Sequence, residues 1–226
     1  MIQKRGLTAY IAGASGLTGG LLLQLLLDNS AFSSVVALLR TPLPFSHPKL
    51  VQKIIDFDHI QSTDLKEGNY FFCCLGTTIK KAGSQEKFQK VDLNYVDLLA
   101  KFSAEVGIST FAVISSVGAN KNSRNFYQRT KGLMEEAISK YDFEKILIFR
   151  PSLILGPRKE FRFGEAFAAS MMKVFNPLMV GSLKQYKAIQ ASEIAHNMLE
   201  VSLVKKSGTY IITNRDMLQK RTNHEK

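Results

Sequence analysis

Residues 8–20 read TAYIAGASGLTGG, and this stretch decides the fold. Thr8 to Ala12 is a short run suited to a buried strand, and Leu17 opens a leucine-rich helical stretch. Between them stand Gly13, Gly16 and Gly19, three residues apart. In a strand–turn–helix unit the first glycine can take the tight turn, the second lets backbone approach a pyrophosphate, and the third lets the helix pack close to the strand. The helix N-terminus adds unpaired N–H groups that favour an anion. A plain turn needs one glycine rather than three, so the spacing points to a bound dinucleotide.

Outward from this unit, short apolar runs at 35–39, 52–55, 70–75, 110–115, 146–150 and 209–213 alternate with amphipathic stretches at 17–27, 85–106, 127–140, 164–174 and 192–205. Alternation of this kind predicts an α/β fold, a doubly wound parallel sheet of about seven strands covered on both faces. Pro42, Pro44 and Pro48 exclude a helix between the second and third strands. One domain over residues 1–213 is expected. Elements in about 151–190 form a small C-terminal substrate region, and 214–226 are expected to be a flexible tail.

Composition excludes several classes. With 45% hydrophobic and 22% charged residues the chain of 226 residues is globular, and it contains no run of eighteen apolar residues that would predict a membrane span. The apolar stretch near the N-terminus is short and runs into the glycine turn, so no export signal is expected. The net charge of +11 is spread along the chain in pairs such as Lys80-Lys81 and Lys205-Lys206. That favours a solvated basic surface over a nucleic-acid footprint. Cys73 and Cys74 are neighbours in a strand, point to opposite faces and cannot form an ordinary disulfide, which predicts a reducing compartment and a cytoplasmic location. His47, His59, His196 and His224 show no metal-ligand spacing.

The second strand ends in Arg40, and no acidic residue lies between Asp28 and Asp56. An acid at that strand end binds a ribose 2′-hydroxyl, whereas a cation accommodates the 2′-phosphate of NADP, so NADP(H) is expected ahead of NAD(H). A solvated arginine leading into a loop would give the same string.

The fifth strand ends in Ser115-Ser116, Tyr127 follows eleven positions after Ser116, and Lys131 stands four further on. A phenol is a weak acid at neutral pH, and a cation one helical turn away favours its ionised form. Ser116, Tyr127 and Lys131 therefore suit carbonyl chemistry, the serine holding the oxygen and the tyrosine exchanging its proton. Spacing alone decides little, because Tyr141 and Lys145 repeat it with no serine-bearing strand end just before them.

AGASGLTGG, FFCCLGTT, VDLNYV, SSVGANKNSRNFYQRTKG and FRPSLILGPR together resemble the atypical short-chain dehydrogenase/reductase superfamily. The nearest branch is that of Tat-interacting-protein-like and NmrA-like oxidoreductases. The resemblance covers nearly the whole chain. It implies pyrophosphate contact at Ser15, Gly16, Leu17 and Thr18, 2′-phosphate contact at Arg40 and adenine contact at Asp56 and Phe57. It implies ribose or nicotinamide contact at Leu75, Gly76, Thr77 and Thr78, with Pro151, Ser152 and Leu153 closing over the nicotinamide. Ser116, Tyr127 and Lys131 match the catalytic positions, Lys131 also gripping the ribose, and Asn94 lies on the helix where many members carry an asparagine.

The implied activity is NADP(H)-dependent reduction of a small carbonyl substrate. One alternative is a regulator that binds NADP(H) and contacts a protein partner. Nucleotide-sugar epimerase or dehydratase chemistry is disfavoured, since about seventy-five residues follow Pro151, too few for a large substrate lobe.

Overall fold

The computed structural model describes residues 6–156 and 186–224. Its elements in chain order are β1 (Leu7–Ala12), α1 (Leu17–Asp28), β2 (Phe32–Leu39), β3 (Leu50–Ile54), β4 (Tyr70–Cys73), α2 (Ile79–Ala82), α3 (Gln85–Gln89), α4 (Tyr95–Glu105), β5 (Thr110–Ile114) and α5 (Phe126–Ile138). They continue as β6 (Lys145–Arg150), β7 (Ile154–Leu155), β8 (Ile189–Gln190), α6 (Ala191–Val204), β9 (Gly208–Thr213) and α7 (Asn214–His224).

Seven strands form one parallel sheet in the order β3-β2-β1-β4-β5-β6-β9, while β7 and β8 pair separately as a two-residue ladder. The order reverses beside β1, between β1 and β4, and in open α/β sheets ligands bind at the carboxyl ends of the strands at such a switch. β1 therefore carries its glycine turn to the place where a ligand belongs.

Each face of the sheet has its own core. Leu22, Leu23, Leu26 and Leu27 of α1 pack with Ile194, Ala195, Met198 and Leu199 of α6 against one face. On the other face Val96, Leu99 and Ala100 of α4 and Met134 and Ile138 of α5 cover Phe71, Phe111 and Val113. The adjacent cysteines divide as strand alternation requires: Cys73 belongs to the second core, Cys74 packs on the first, and both are free thiols. No described helix is long and apolar enough to cross a membrane.

Three expectations need correction. The expected helix 85–106 is interrupted: residues Lys90–Asn94 form a π-turn between α3 and α4, in which the Tyr95 N–H bonds to the Lys90 carbonyl. Residues 214–224 are helical rather than a loose tail. Thr213 and Asp216 cap that helix reciprocally, through Thr213 N to Asp216 Oδ2 at 2.9 Å and Asp216 N to Thr213 Oγ1 at 3.2 Å, and Asn214 and Met217 are fully buried. The fourth strand stops at Cys73 rather than Leu75, because residues 74–78 turn away toward the site. The helix expected at 164–174 and most of the expected substrate-side segment lie outside the described residues.

Candidate active site

Gly13 has φ +85°, a conformation that side chains rarely adopt, and a Cβ there would stand 2.5 Å from the Cys74 carbonyl oxygen. A Cβ on Gly19 would stand 2.2 Å from the Gly13 oxygen, so the first turn of α1 lies directly on the strand end. Gly16 is exposed and N-caps α1; no side chain caps that end, and no acidic residue stands in the first turn. Ser15 is exposed beside it, Leu17 is half-buried, and Thr18 is buried. A Cβ on Gly156 would meet two methyl carbons of Leu17 at 3.0 Å, which brings the segment after β6 over the glycine turn.

Arg40 is exposed immediately after β2. Beyond β3, Asp56 accepts hydrogen bonds from Asp58 N at 2.9 Å and His59 Nδ1 at 2.7 Å, and these hold its exposed carboxyl below the usual carboxylate range. Phe57 is buried with its ring against Tyr95 at 5.6 Å, so its side chain serves the core. Asp58 ties this loop down, pairing with Lys90 Nζ at 2.7 Å and accepting the Tyr95 hydroxyl.

Leu75 to Thr78 lead from β4 into α2; Leu75 is half-buried, Gly76 is exposed, and Thr78 caps α2 by accepting from Lys81 N. Thr77 N donates to Asp92 Oδ2 at 2.8 Å, and Asp92 Oδ1 pairs with Lys131 Nζ at 2.7 Å. The Asp92 and Lys131 side chains are 1% and 4% exposed. Burial pushes the Lys131 ammonium toward losing its proton, but the Asp92 carboxylate and the Tyr127 oxygen outweigh it and hold Lys131 above its ordinary value.

Asp92 is the residue that sequence reading missed. It lies within the quoted VDLNYV, yet Asn94 was expected to serve on that helix. The π-turn explains the difference: its wider turn carries Asp92 inward and leaves Asn94 exposed.

α5 begins at Phe126 because Asn125 caps it, accepting from Gln128 N at 3.1 Å. Tyr127 is half-buried, its ring 5.5 Å from Phe88, and it shares a helix face with Lys131 one turn later. Ser116 follows β5, its hydroxyl donating to the Val117 carbonyl at 3.2 Å. A Cβ on Gly132 would stand 2.1 Å from Lys121 N, so this glycine lets the loop after Ser116 cross α5. Pro151 accepts from Val117 N at 2.9 Å, Leu153 from Ile189 N at 2.9 Å, and Ser152 N donates to the buried Asn214 at 3.1 Å. Asn214, at the head of the expected tail, therefore fastens the segment over the site.

The second tyrosine–lysine pair is not one. Tyr141 follows α5 and donates to Asp97 at 2.7 Å, while Lys145 opens β6 and donates to the Ser202 carbonyl at 2.8 Å.

No protein-family model matches the chain. Rat Protein HTATIP2 is 35% identical over 166 residues, which span 71% of this chain and 68% of the relative. The chain belongs to the HTATIP2/FMP52 family. This is the Tat-interacting-protein-like, NmrA-like branch of the short-chain dehydrogenase/reductase superfamily. Protein FMP52 of Debaryomyces hansenii is 33% identical over 159 residues, 68% of this chain and 70% of its own. Protein FMP52 of Saccharomyces cerevisiae is 34% identical over 172 residues, 73% and 74%. Among solved structures, MoeE5 in complex with UDP-glucose and NAD superposes with a TM-score of 0.70 at 16% identity, covering 96% of this chain and 81% of that one. A UDP-N-acetylglucosamine 4-epimerase from Methanobrevibacter ruminantium M1 gives 0.70 at 15%, covering 98% and 83%. At such identities these likenesses establish the Rossmann-type fold.

The FMP52 relatives also correct an expectation, for those of both yeasts are named mitochondrial, which conflicts with a cytoplasmic assignment. Unpaired cysteines separate reducing compartments from oxidising ones and do not tell one reducing compartment from another.

Proposed function

We propose that this HTATIP2/FMP52 family member is an NADP(H)-dependent reductase of a small carbonyl compound, with Tyr127 as the proton donor. The observation that carries the reading is the buried Asp92–Lys131 pair, which Thr77 N–H ties to the loop between β4 and α2.

The turn suits a dinucleotide pyrophosphate. It has two positions where a Cβ cannot fit, an exposed Gly16, and a helix end with neither a side-chain cap nor an acidic residue in its first turn. Arg40 would hold the 2′-phosphate, Thr77 and Thr78 would border the nicotinamide ribose, and Pro151 to Leu153 would cover the ring. NAD(H) remains the weaker alternative. When bound, the reduced cofactor supplies two electrons and a proton equivalent to the carbonyl carbon.

The protein supplies the rest. Tyr127 gives its hydroxyl proton to the carbonyl oxygen, Ser116 donates a hydrogen bond to the same oxygen, and the Lys131 ammonium stabilises the phenolate left behind. Reprotonation of Tyr127 from solvent closes the cycle.

Tyr127→Phe should lower NADPH oxidation with a reducible substrate at least a hundredfold, within the usual range for an acid–base group, while NADPH affinity stays within about twofold. A Phe variant as fast as wild type would remove Tyr127 from the chemistry. If the wild type binds NADPH tightly, reduces no carbonyl compound in a broad panel and captures a protein partner, the sensing reading replaces the enzymatic one.

A further inference from the structure

The site has a second buried carboxylate, behind the reacting groups. Glu135 is 7% exposed and accepts three hydrogen bonds: from Ser115 Oγ at 2.5 Å, Arg150 Nε at 2.9 Å and Arg150 Nη2 at 2.5 Å. Each partner is joined to a site residue by the chain itself. Ser115 immediately precedes Ser116, Arg150 immediately precedes Pro151, and Glu135 stands one helical turn beyond Lys131 on α5.

β5 and β6 are paired as far as Ile114 and Phe149, and Ser115 N still bonds to the Phe149 carbonyl at 2.7 Å. Past that point β5 has ended, and few backbone bonds join its end to that of β6. The Glu135 carboxylate joins both ends to α5, and the Val117–Pro151 backbone bond adds a second tie.

Apolar side chains would join three elements at least as strongly, since a buried ion pair roughly breaks even against hydrophobic packing. What a bidentate arginine–carboxylate pair adds is direction, because both groups are planar and their bonds are oriented. A direction-setting contact is wanted where one hydroxyl must be held at a fixed place relative to a phenol and an ammonium on another element.

We propose that Glu135, with Ser115 and Arg150, is a positioning unit that fixes Ser116 relative to Tyr127 and Lys131; the inference rests on the reductase reading above. Glu135 itself does not touch the reacting atoms and acts through Ser115.

Ser115→Ala tests it most cleanly, for it cuts the link to the catalytic strand end and leaves the Glu135–Arg150 pair intact. The variant should lose roughly ten- to a hundredfold in kcat, the scale of a small misplacement. KM for NADPH and the melting temperature should stay near wild type. Glu135→Gln should lose more, and if it fails to fold, Ser115→Ala still decides. Ser115→Ala turning over at the wild-type rate, or losing rate only in step with stability, overturns the positioning role and leaves the reductase reading standing. A wild type that reduces nothing overturns both.

Discussion

Asp92→Asn isolates the charge on which the site is built. Asparagine keeps the size of the side chain and an oxygen for Thr77 N–H, so the substitution removes little but the negative charge opposite Lys131, 2.7 Å away. With the two side chains 1% and 4% exposed, water cannot replace the lost partner. Removing one member of a buried pair costs about 3–5 kcal/mol. At about 2–4 °C per kcal/mol for a chain of this size, the melting temperature should fall by roughly 6–20 °C at neutral pH.

The pH dependence gives the sharper test. In the wild type Lys131 is held above its ordinary value, so its contribution is whole below the ordinary lysine value and is lost as pH rises from there through the raised one. In the variant burial, the largest influence on Lys131, is opposed only by the Tyr127 oxygen and the Cys73 thiol, and is expected to push Lys131 below the ordinary lysine value of about 10.4. The folded variant then lacks a proton that the unfolded chain keeps, so its stability climbs with pH. Melts of cofactor-free protein, followed by circular dichroism from pH 6 to 10, should therefore show a deficit that is smaller at pH 10 than at pH 6. A deficit under about 2 °C at pH 7, or one that does not change with pH, would refute the reasoning.

The glycine turn and Arg40 yield two further tests. Gly19→Ala sets a Cβ 2.2 Å from the Gly13 oxygen and should destabilise the fold by about 1–3 kcal/mol, whereas Gly16→Ala meets only that oxygen at 3.2 Å and should melt near wild type. Gly16→Ala should nonetheless weaken NADPH binding at least ~10-fold in a fluorescence titration, and an unchanged affinity would take the pyrophosphate away from this turn. Arg40→Ala should weaken NADPH roughly ten- to a hundredfold by losing charge-assisted hydrogen bonds, and leave NADH untouched. Equal losses for both cofactors would show that Arg40 does not read the 2′-phosphate.

Most of the sheet was legible because its signals are local. Each strand announces itself as an apolar run, the glycine spacing marks the first crossover, and strand alternation alone places Cys73 and Cys74 in different cores. What escaped reading depends on partners distant in sequence. Nothing near Asp92 says that its carboxylate meets Lys131, thirty-nine positions away, and an amphipathic pattern over 85–106 reads as one continuous helix and conceals the π-turn. The helix 214–224 was missed for the opposite reason. Its capping signal, Thr213 with Asp216, is local and readable, but a polar composition outweighed it, and the burial of Asn214 against Ser152 and Lys187 is set by the fold.

The two tyrosine–lysine pairs show what the motif omits. Tyr141 gives its hydrogen to Asp97, and burial together with that carboxylate pushes its phenol up to about 12, so it is a weaker acid than a free phenol. Its four-residue spacing to Lys145 runs from the end of α5 into β6, and the lysine turns to the Ser202 carbonyl. Around Tyr127 the carboxylate is assigned differently: Asp92 takes the lysine, and among the described residues no carboxylate bonds the Tyr127 hydroxyl. A carboxylate bound to the phenol opposes ionisation, whereas one bound to the lysine holds a cation beside the phenol and fixes its position. The chemistry of a tyrosine followed by a lysine is therefore set by which of the two the nearby acid engages, and in this fold the π-turn carrying Asp92 makes that choice.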